Sequence, residues 1–234
     1  MPKSEKTLLN KVWYFIWEDD SLASWIVNIV LAFLLIKFIV YPGLGMIFGT
    51  THPVVAVVSG SMEHAFVPKT NSFGNYVNSD QNNLIYTLCD QTKIKKKNIL
   101  NFKDFKNFDK YWETCGDWYE ANNISKQEFS KFKFKNGFNT GDIIVLVGIK
   151  PSKIQIGDVI VFYGDRTQPI IHRVVDKNQE DGIYQYETKG DHNPTQDPYL
   201  TKENNVIGKA VFRIPFLGYI KIWFVNTLEL LGVY

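Results

Sequence analysis

Cysteine is scarce in this chain. Only Cys89 and Cys115 occur in 234 residues, and their spacing is not that of a metal site. No His-Glu-x-x-His segment exists, and His52, His64 and His192 do not assemble into a ligand set by spacing. A catalytic or structural metal is therefore not expected, and neither is any cofactor. The two thiols either pair, as an extracytoplasmic setting would permit, or stay reduced inside a core. An excess of one charge is also missing. Twenty-six basic side chains face 24 acidic ones, a net +2, which argues against nucleic acid as a partner. The run Lys95-Lys96-Lys97 reads as a solvated face or as a contact to anionic lipid headgroups. Mean hydropathy is −0.15, the value of an ordinary soluble chain, but that average conceals an uneven distribution.

One long apolar run stands out, LASWIVNIVLAFLLIKFIV over 22–40. About 20 residues at 1.5 Å each cross a bilayer core of about 30 Å, so residues 22–41 are expected to form a transmembrane helix. Trp25 and Tyr41 suit the two interfaces, and Lys37 can snorkel. A cleaved signal peptide fits less well: the run is too long, Glu18-Asp19-Asp20 precede it and no small-x-small site follows. Pro42-Gly43 is expected to end the helix. Ahead of it, in 1–21, Leu8, Leu9, Val12, Trp13 and Ile16 recur at helical spacing, which predicts an amphipathic helix on the membrane. Lys3, Lys6 and Lys11 favour an N-terminus on the inner side.

Beyond the anchor the pattern turns to short strands. Val54 to Val58 is β-branched and bounded by Pro53 and Gly60. Gly141-Asp142 and Gly157-Asp158 each precede a β-branched run, and further strands are expected at 172–176, 184–189 and 206–213. These predict a mainly β domain from 53–67 and 141–214, an antiparallel sheet or partly closed barrel. Residues 68–140 interrupt it. Phe105, Phe108 and Trp112 share a helical face, and Ser125-Lys126-Gln127-Glu128 fits a capping box, so an α-rich inserted subdomain is expected. The apolar segment 215–234 carries Lys221 and Glu229. It reads as interfacial or as part of the sheet's membrane-facing edge, or else as a short second span.

A serine hydroxyl needs a base to become a nucleophile, and that base needs a third group to fix its tautomer. Ser61 follows Gly60 at the end of a strand. His172 lies in a later strand, and a free imidazole titrates near neutrality. Asp191 or Asp197 could orient it. Taken in order, Ser59-Gly60-Ser61-Met62-Glu63, Gly141-Asp142-Ile143-Ile144-Val145, Gly157-Asp158-Val159-Ile160-Val161-Phe162, Ile171-His172-Arg173-Val174 and Lys189-Gly190-Asp191-His192-Asn193 with Asp197 resemble type I signal peptidases. The likeness is to the archaeal and endoplasmic-reticulum branch, which has His where bacterial enzymes use Lys, and it covers 53–66 and 141–219 besides the anchor.

The resemblance implies Ser61 as nucleophile, His172 as general base, Asp197 as the third member and Asp191 in support. The Ser61 N–H and the Ser59 hydroxyl would form the oxyanion site. It implies a membrane endopeptidase with an extracytoplasmic catalytic domain, acting on the signal peptides of exported preproteins. Membrane lipid and secretion machinery would be its other contacts. Two departures stand out: His64 occupies the place of the family's usual Pro, where it could compete as a base, and the 68–140 insertion separates the motifs. The rival class is a catalytically silent membrane-anchored binding module that uses the insertion.

Overall fold

The computed structural model describes residues 7–69, 77–80, 83–96, 107–164, 168–220 and 227. Phe105, Lys97, the N-terminal Lys3 and Lys6, and the tail's Lys221 and Glu229 lie outside them, as do the side chains of Lys95 and Lys96. The chain divides into two compact units, Met1–Thr51 and His52–Tyr234.

In the first unit, α1 (Leu8–Trp17) leads to α2 (Leu22–Leu35), a π-helical segment Ile36–Val40 and α3 (Tyr41–Phe48). Together Leu22–Phe48 form one 27-residue apolar helix, long enough to cross a membrane. Its apolar side chains are exposed, Ile29 by 66% and Ile39 by 68%, with no apolar cover among the described residues. The helix runs past Pro42-Gly43, contrary to expectation, and ends only at Gly49, whose φ of 64° is left-handed. A proline ring clashes with the carbonyl four residues earlier in a regular α-helix. The wider π turn just before Pro42 relieves that conflict. The two polar residues near the start of the span are spoken for. Ser24 Oγ donates to the Phe15 carbonyl (2.5 Å) and Asn28 Nδ2 to the Ile16 carbonyl (2.9 Å), satisfying carbonyls that the end of α1 leaves without helical partners.

The second unit is built on an open, seven-stranded antiparallel sheet. Its strands are β1 (Val54–Ala56), β5 (Ile143–Val147), β6 (Val159–Tyr163), β7 (Pro169–Glu180), β8 (Ile183–Lys189), β9 (Thr201–Lys202) and β10 (Val206–Ile214). The order is β1-β5-β10-β6-β7-β8-β9, so β1 and β9 are the two edges and no barrel closes. β6 explains its own sequence. Val159 and Val161 enter one core cluster with Val57, Met62, Ile144 and Leu146, while Ile160 and Phe162 enter another with Ile154, Val174 and Tyr186. A central strand buried on both faces reads as a continuous apolar run. The repeated Gly-Asp pairs are turns. Gly141 and Gly157 have φ of 88° and 90°, a region costly for any other residue. The following carboxylates accept the Asn139 N–H (2.9 Å) and the Gln155 N–H (3.0 Å).

The insertion holds the expected helices, α4 (Phe108–Ala121) and α5 (Lys126–Phe129), and the Ser125–Glu128 capping box forms in both directions. It also holds a hairpin, β3 (Asn83–Leu88) and β4 (Gln91–Lys96), which pairs with β2 (Val67–Pro68) in a second, three-stranded sheet. Cys89, just after β3, is disulfide-bonded to Cys115 of α4. Tyr111, Trp112, Cys115, Tyr119 and Phe129 form an aromatic core that closes on Val175 of β7. The insertion is therefore packed on the main sheet.

Candidate active site

Ser61 stands in a four-residue turn closed by the Glu63 N–H on the Gly60 carbonyl (3.0 Å). Val57, Val58 and Ser59 connect it to the end of β1. Ser61 is half-buried and Ser59 exposed, and their hydroxyls lie 3.3 Å apart in a hydrogen bond. Met62, next in the chain, is fully buried in the core. The segment therefore presents its serines outward and anchors itself by the methionine. Val58 is the exposed apolar residue on this stretch.

His172 lies on β7 opposite Ile160 of β6. Its Nδ1 is 2.7 Å from Asp197 Oδ2, and the same oxygen accepts the Thr188 hydroxyl (2.5 Å). The Asp197 N–H bonds the Thr188 carbonyl (2.7 Å), so β8 fixes both the backbone and the carboxylate. The Nδ1–H tautomer is the one a carboxylate selects, which leaves Nε2 as the basic lone pair. Gly190 shows where Nε2 points. A Cβ there would meet the Ser61 carbonyl oxygen at 2.7 Å and His172 Nε2 at 2.8 Å. The Ser61 turn and the imidazole thus converge on one spot that only glycine leaves open.

Asp191 is fully buried and does not face His172. Arg173 grips it with Nε to Oδ1 (2.9 Å) and Nη2 to Oδ2 (2.7 Å). His64 Nε2 donates to Oδ2 (2.8 Å) and the Tyr119 hydroxyl to Oδ1 (3.2 Å). Burial alone would raise this carboxyl, but the Arg173 charge and the hydrogen bonds hold it well below the usual range. Burial lowers His64 against the pull of Asp191, so its ring is neutral and stacks on Tyr111 at 3.5 Å. His64 is thereby committed to Asp191 and is not available as a competing base. Burial also brings Lys189 down to about 8. Its ammonium sits 5.1 Å and 4.8 Å from the Trp118 and Tyr119 rings. His192 is pushed by burial to about 4, and its Nδ1 donates to the Glu63 carbonyl (3.1 Å). Among the described residues, no group of His, Cys, Asp and Glu is arranged to hold a metal ion.

Sequence reasoning missed Arg173, Tyr111 and Tyr119. Arg173 follows the histidine inside a quoted motif but reads as a solvent-facing strand residue, and the tyrosines lie in the insertion, outside every motif. No local signal marks their meeting with Asp191.

No family model matches the chain. It is similar to the signal peptidase complex catalytic subunit SEC11C of Homo sapiens, 33% identical over 94 residues, covering 36% of this chain and 49% of the relative. The SEC11 subunit of Zygosaccharomyces rouxii is 33% identical over 96 residues, covering 37% of this chain and 57% of its own. The sec11 subunit of Schizosaccharomyces pombe is 37% identical over 81 residues, covering 31% and 43%. The chain spans about half the length of the curated relatives it matches. The resemblance first drawn from five short motifs is therefore a measurable similarity, over about a third of this chain, to catalytic subunits of the signal peptidase complex.

Proposed function

We propose that this chain is a membrane-anchored serine endopeptidase that removes signal peptides from exported preproteins. The observation that carries the reading is the His172–Asp197 contact of 2.7 Å, with Nε2 turned toward the Ser61 turn. In the resting arrangement Ser61 Oγ bonds Ser59 Oγ. A rotation about the Ser61 Cα–Cβ bond would hand it to Nε2. The imidazole takes the hydroxyl proton as Oγ attacks the scissile carbonyl, and Asp197 stabilises the imidazolium through Nδ1–H. The Ser61 N–H and the freed Ser59 hydroxyl bind the oxyanion, each such donor being worth about 2.7–4 kcal/mol. His172 then gives the proton to the leaving amine, which departs as the mature N-terminus. Water, deprotonated by the same nitrogen, releases the signal peptide and restores Ser61. Asp191 supports this machinery from behind.

β1 is an edge strand joined to the Ser61 turn by Val57, Val58 and Ser59. An extended cleavage region would add beside it and offer alternate side chains to the surface. Val58, Phe212, Phe216, Leu217 and Ile220 are exposed on this unit and would meet membrane lipid. The Leu22–Phe48 helix serves as the anchor. The Cys89–Cys115 bond supports an oxidising, extracytoplasmic side for the sheet domain. Contacts with secretion machinery belong to the same reading. The silent-module alternative is less favoured, because a binding module has no need of an aspartate-oriented imidazole turned toward a serine-bearing turn.

The test is cleavage of a preprotein by the detergent-solubilised chain. Ser61→Ala and His172→Ala should each lose at least about 10³-fold in kcat/KM, because members of such a set act as a unit. His172→Lys should not restore activity. Cleavage that survives Ser61→Ala overturns the mechanism.

A further inference from the structure

We infer that the insertion is part of the catalytic scaffold: α4 and its disulfide position the 190–192 turn, and His64 ties the nucleophile segment to that turn. The inference rests on the reading of Ser61 and His172 given above. Residues 61–64 and 190–192 run side by side. The His192 N–H bonds the Ser61 carbonyl (2.9 Å), and the Asp191 N–H approaches Met62 Sδ (3.5 Å). His192 Nδ1 bonds the Glu63 carbonyl and His64 Nε2 bonds Asp191 Oδ2. On its other side the turn is held by the insertion. The Tyr111 hydroxyl donates to the Asp191 carbonyl (2.8 Å), the Tyr119 hydroxyl to Asp191 Oδ1 (3.2 Å), and the Cys89 N–H to the His192 carbonyl (2.9 Å). The polar backbone groups of Asp191 and His192 are thus divided between the nucleophile segment and the insertion.

The disulfide completes the arrangement. Tyr111, Cys115 and Tyr119 are spaced i, i+4, i+8, which puts all three on one face of α4. The bond from Cys115 to Cys89 pins that face against the turn at its midpoint, between the two tyrosines. His64 belongs to the same device: its ring lies on Tyr111 with 8° between the planes while its Nε2–H reaches Asp191. The residue that departs from the expected Pro is therefore the one through which the nucleophile segment stacks on α4, beside the bonds that Phe138 and Thr140 give to Met62 and Glu63. Tyr111, Tyr119 and His64 are positioning residues. They act through a turn whose His192 N–H holds the Ser61 carbonyl and whose Gly190 abuts His172 Nε2, and they touch no substrate.

The experiment uses the full chain in detergent. Tyr119→Phe, Tyr111→Phe, His64→Phe and the double variant Cys89→Ser/Cys115→Ser are compared with wild type, all assayed well below their melting temperatures. Lys126→Ala, on an exposed ion pair of the same insertion, is the matched control. A displaced turn misaligns Ser61 and His172 without altering the β1 edge. Each test variant should therefore lose roughly tenfold in kcat, the size of one hydrogen bond to a charged or catalytically placed group. KM should hold within about twofold, since substrate binding energy is not removed. Combining Tyr111→Phe with Tyr119→Phe should cost less than the product of the single effects, because both act on one turn. Variants that melt earlier but keep wild-type kcat would make the insertion merely structural and overturn the inference. Amide exchange at His192 gives a readout independent of activity, and it should quicken about tenfold or more in the double cysteine variant. If the wild type cleaves nothing and matches Ser61→Ala, the functional reading fails alone; unchanged exchange at His192 sinks the scaffold claim in either case.

Discussion

Asp191 and Asp197 share one chemistry and sit in opposite settings. Asp197 meets an imidazole and a hydroxyl near the surface. Asp191 is buried among a guanidinium, an imidazole and a phenol. Replacing Asp197 with Asn preserves shape but presents an amide to Nδ1, which favours the wrong tautomer; kcat should fall by about 10³-fold or more with little change in melting temperature. Asp191→Asn instead leaves the Arg173 charge buried without its anion. It should destabilise the protein by roughly 3–5 kcal/mol, visible as an earlier denaturant midpoint. A stable but inactive Asp191→Asn paired with an active Asp197→Asn would reverse the two assignments. Residue type and spacing leave either aspartate open, and only the family resemblance points to Asp197 as the third member. The difference is made by Thr188 on one side and Arg173 on the other, and neither is recognisable from spacing.

At the scale of the element, β7 carries the most information. Adjacent strand residues point to opposite faces. The pair His172-Arg173 therefore sends its imidazole to Asp197 and its guanidinium to the insertion, where it lies 4.8 Å from the Phe129 ring centre. Arg173 also donates to the carbonyls of Lys133, Phe134 and Gly157, so one side chain fastens three segments. Lysine lacks the rigid fork that does this. Arg173→Lys should cost on the order of 3 kcal/mol by abandoning buried carbonyls, read from denaturant unfolding in detergent. An unchanged midpoint would mean that the aromatic core alone holds the insertion. The strands themselves were legible, because β-branched runs between Gly-Asp turns announce them. Arg173's burial was not, because the covering layer comes from residues 107–134. The hairpin β3–β4 was missed for a related reason. Its sequence, NLIYTLCDQTKIKK, has an exposed face and a two-residue turn at Cys89-Asp90, where Cys89 adopts a φ of 53°. Cysteine gives no hint of the left-handed backbone that Asn or Gly would advertise there.

The molecule as a whole combines an apolar helix with a sheet unit whose centre is ionic, and that centre sets its response to acid. His192 has a folded-state value of about 4 against an ordinary 6.5. Between those two values the unfolded chain binds a proton that the folded one refuses, so stability falls as pH drops from about 6.5 toward 4. One proton corresponds to roughly 1.4 kcal/mol per pH unit. His64 is shifted in the same direction and steepens the fall. Asp191, held well below the usual range, contributes stability that is complete above the ordinary carboxylate value and is lost as pH falls further. The alkaline side differs. Lys189, near 8 against an ordinary 10.5, makes stability rise above pH 8, until Tyr111 and Tyr119, raised well above 10 by burial, reverse the trend as unfolded tyrosines ionise. The melting temperature should therefore decline steeply below pH 6.5 and climb modestly just above pH 8. His192→Asn keeps a donor where Nδ1 meets the Glu63 carbonyl and removes the titration. Its melting profile should be flatter between pH 6.5 and 4 by about one proton's slope. A profile parallel to wild type would place the acid-sensitive proton on another group.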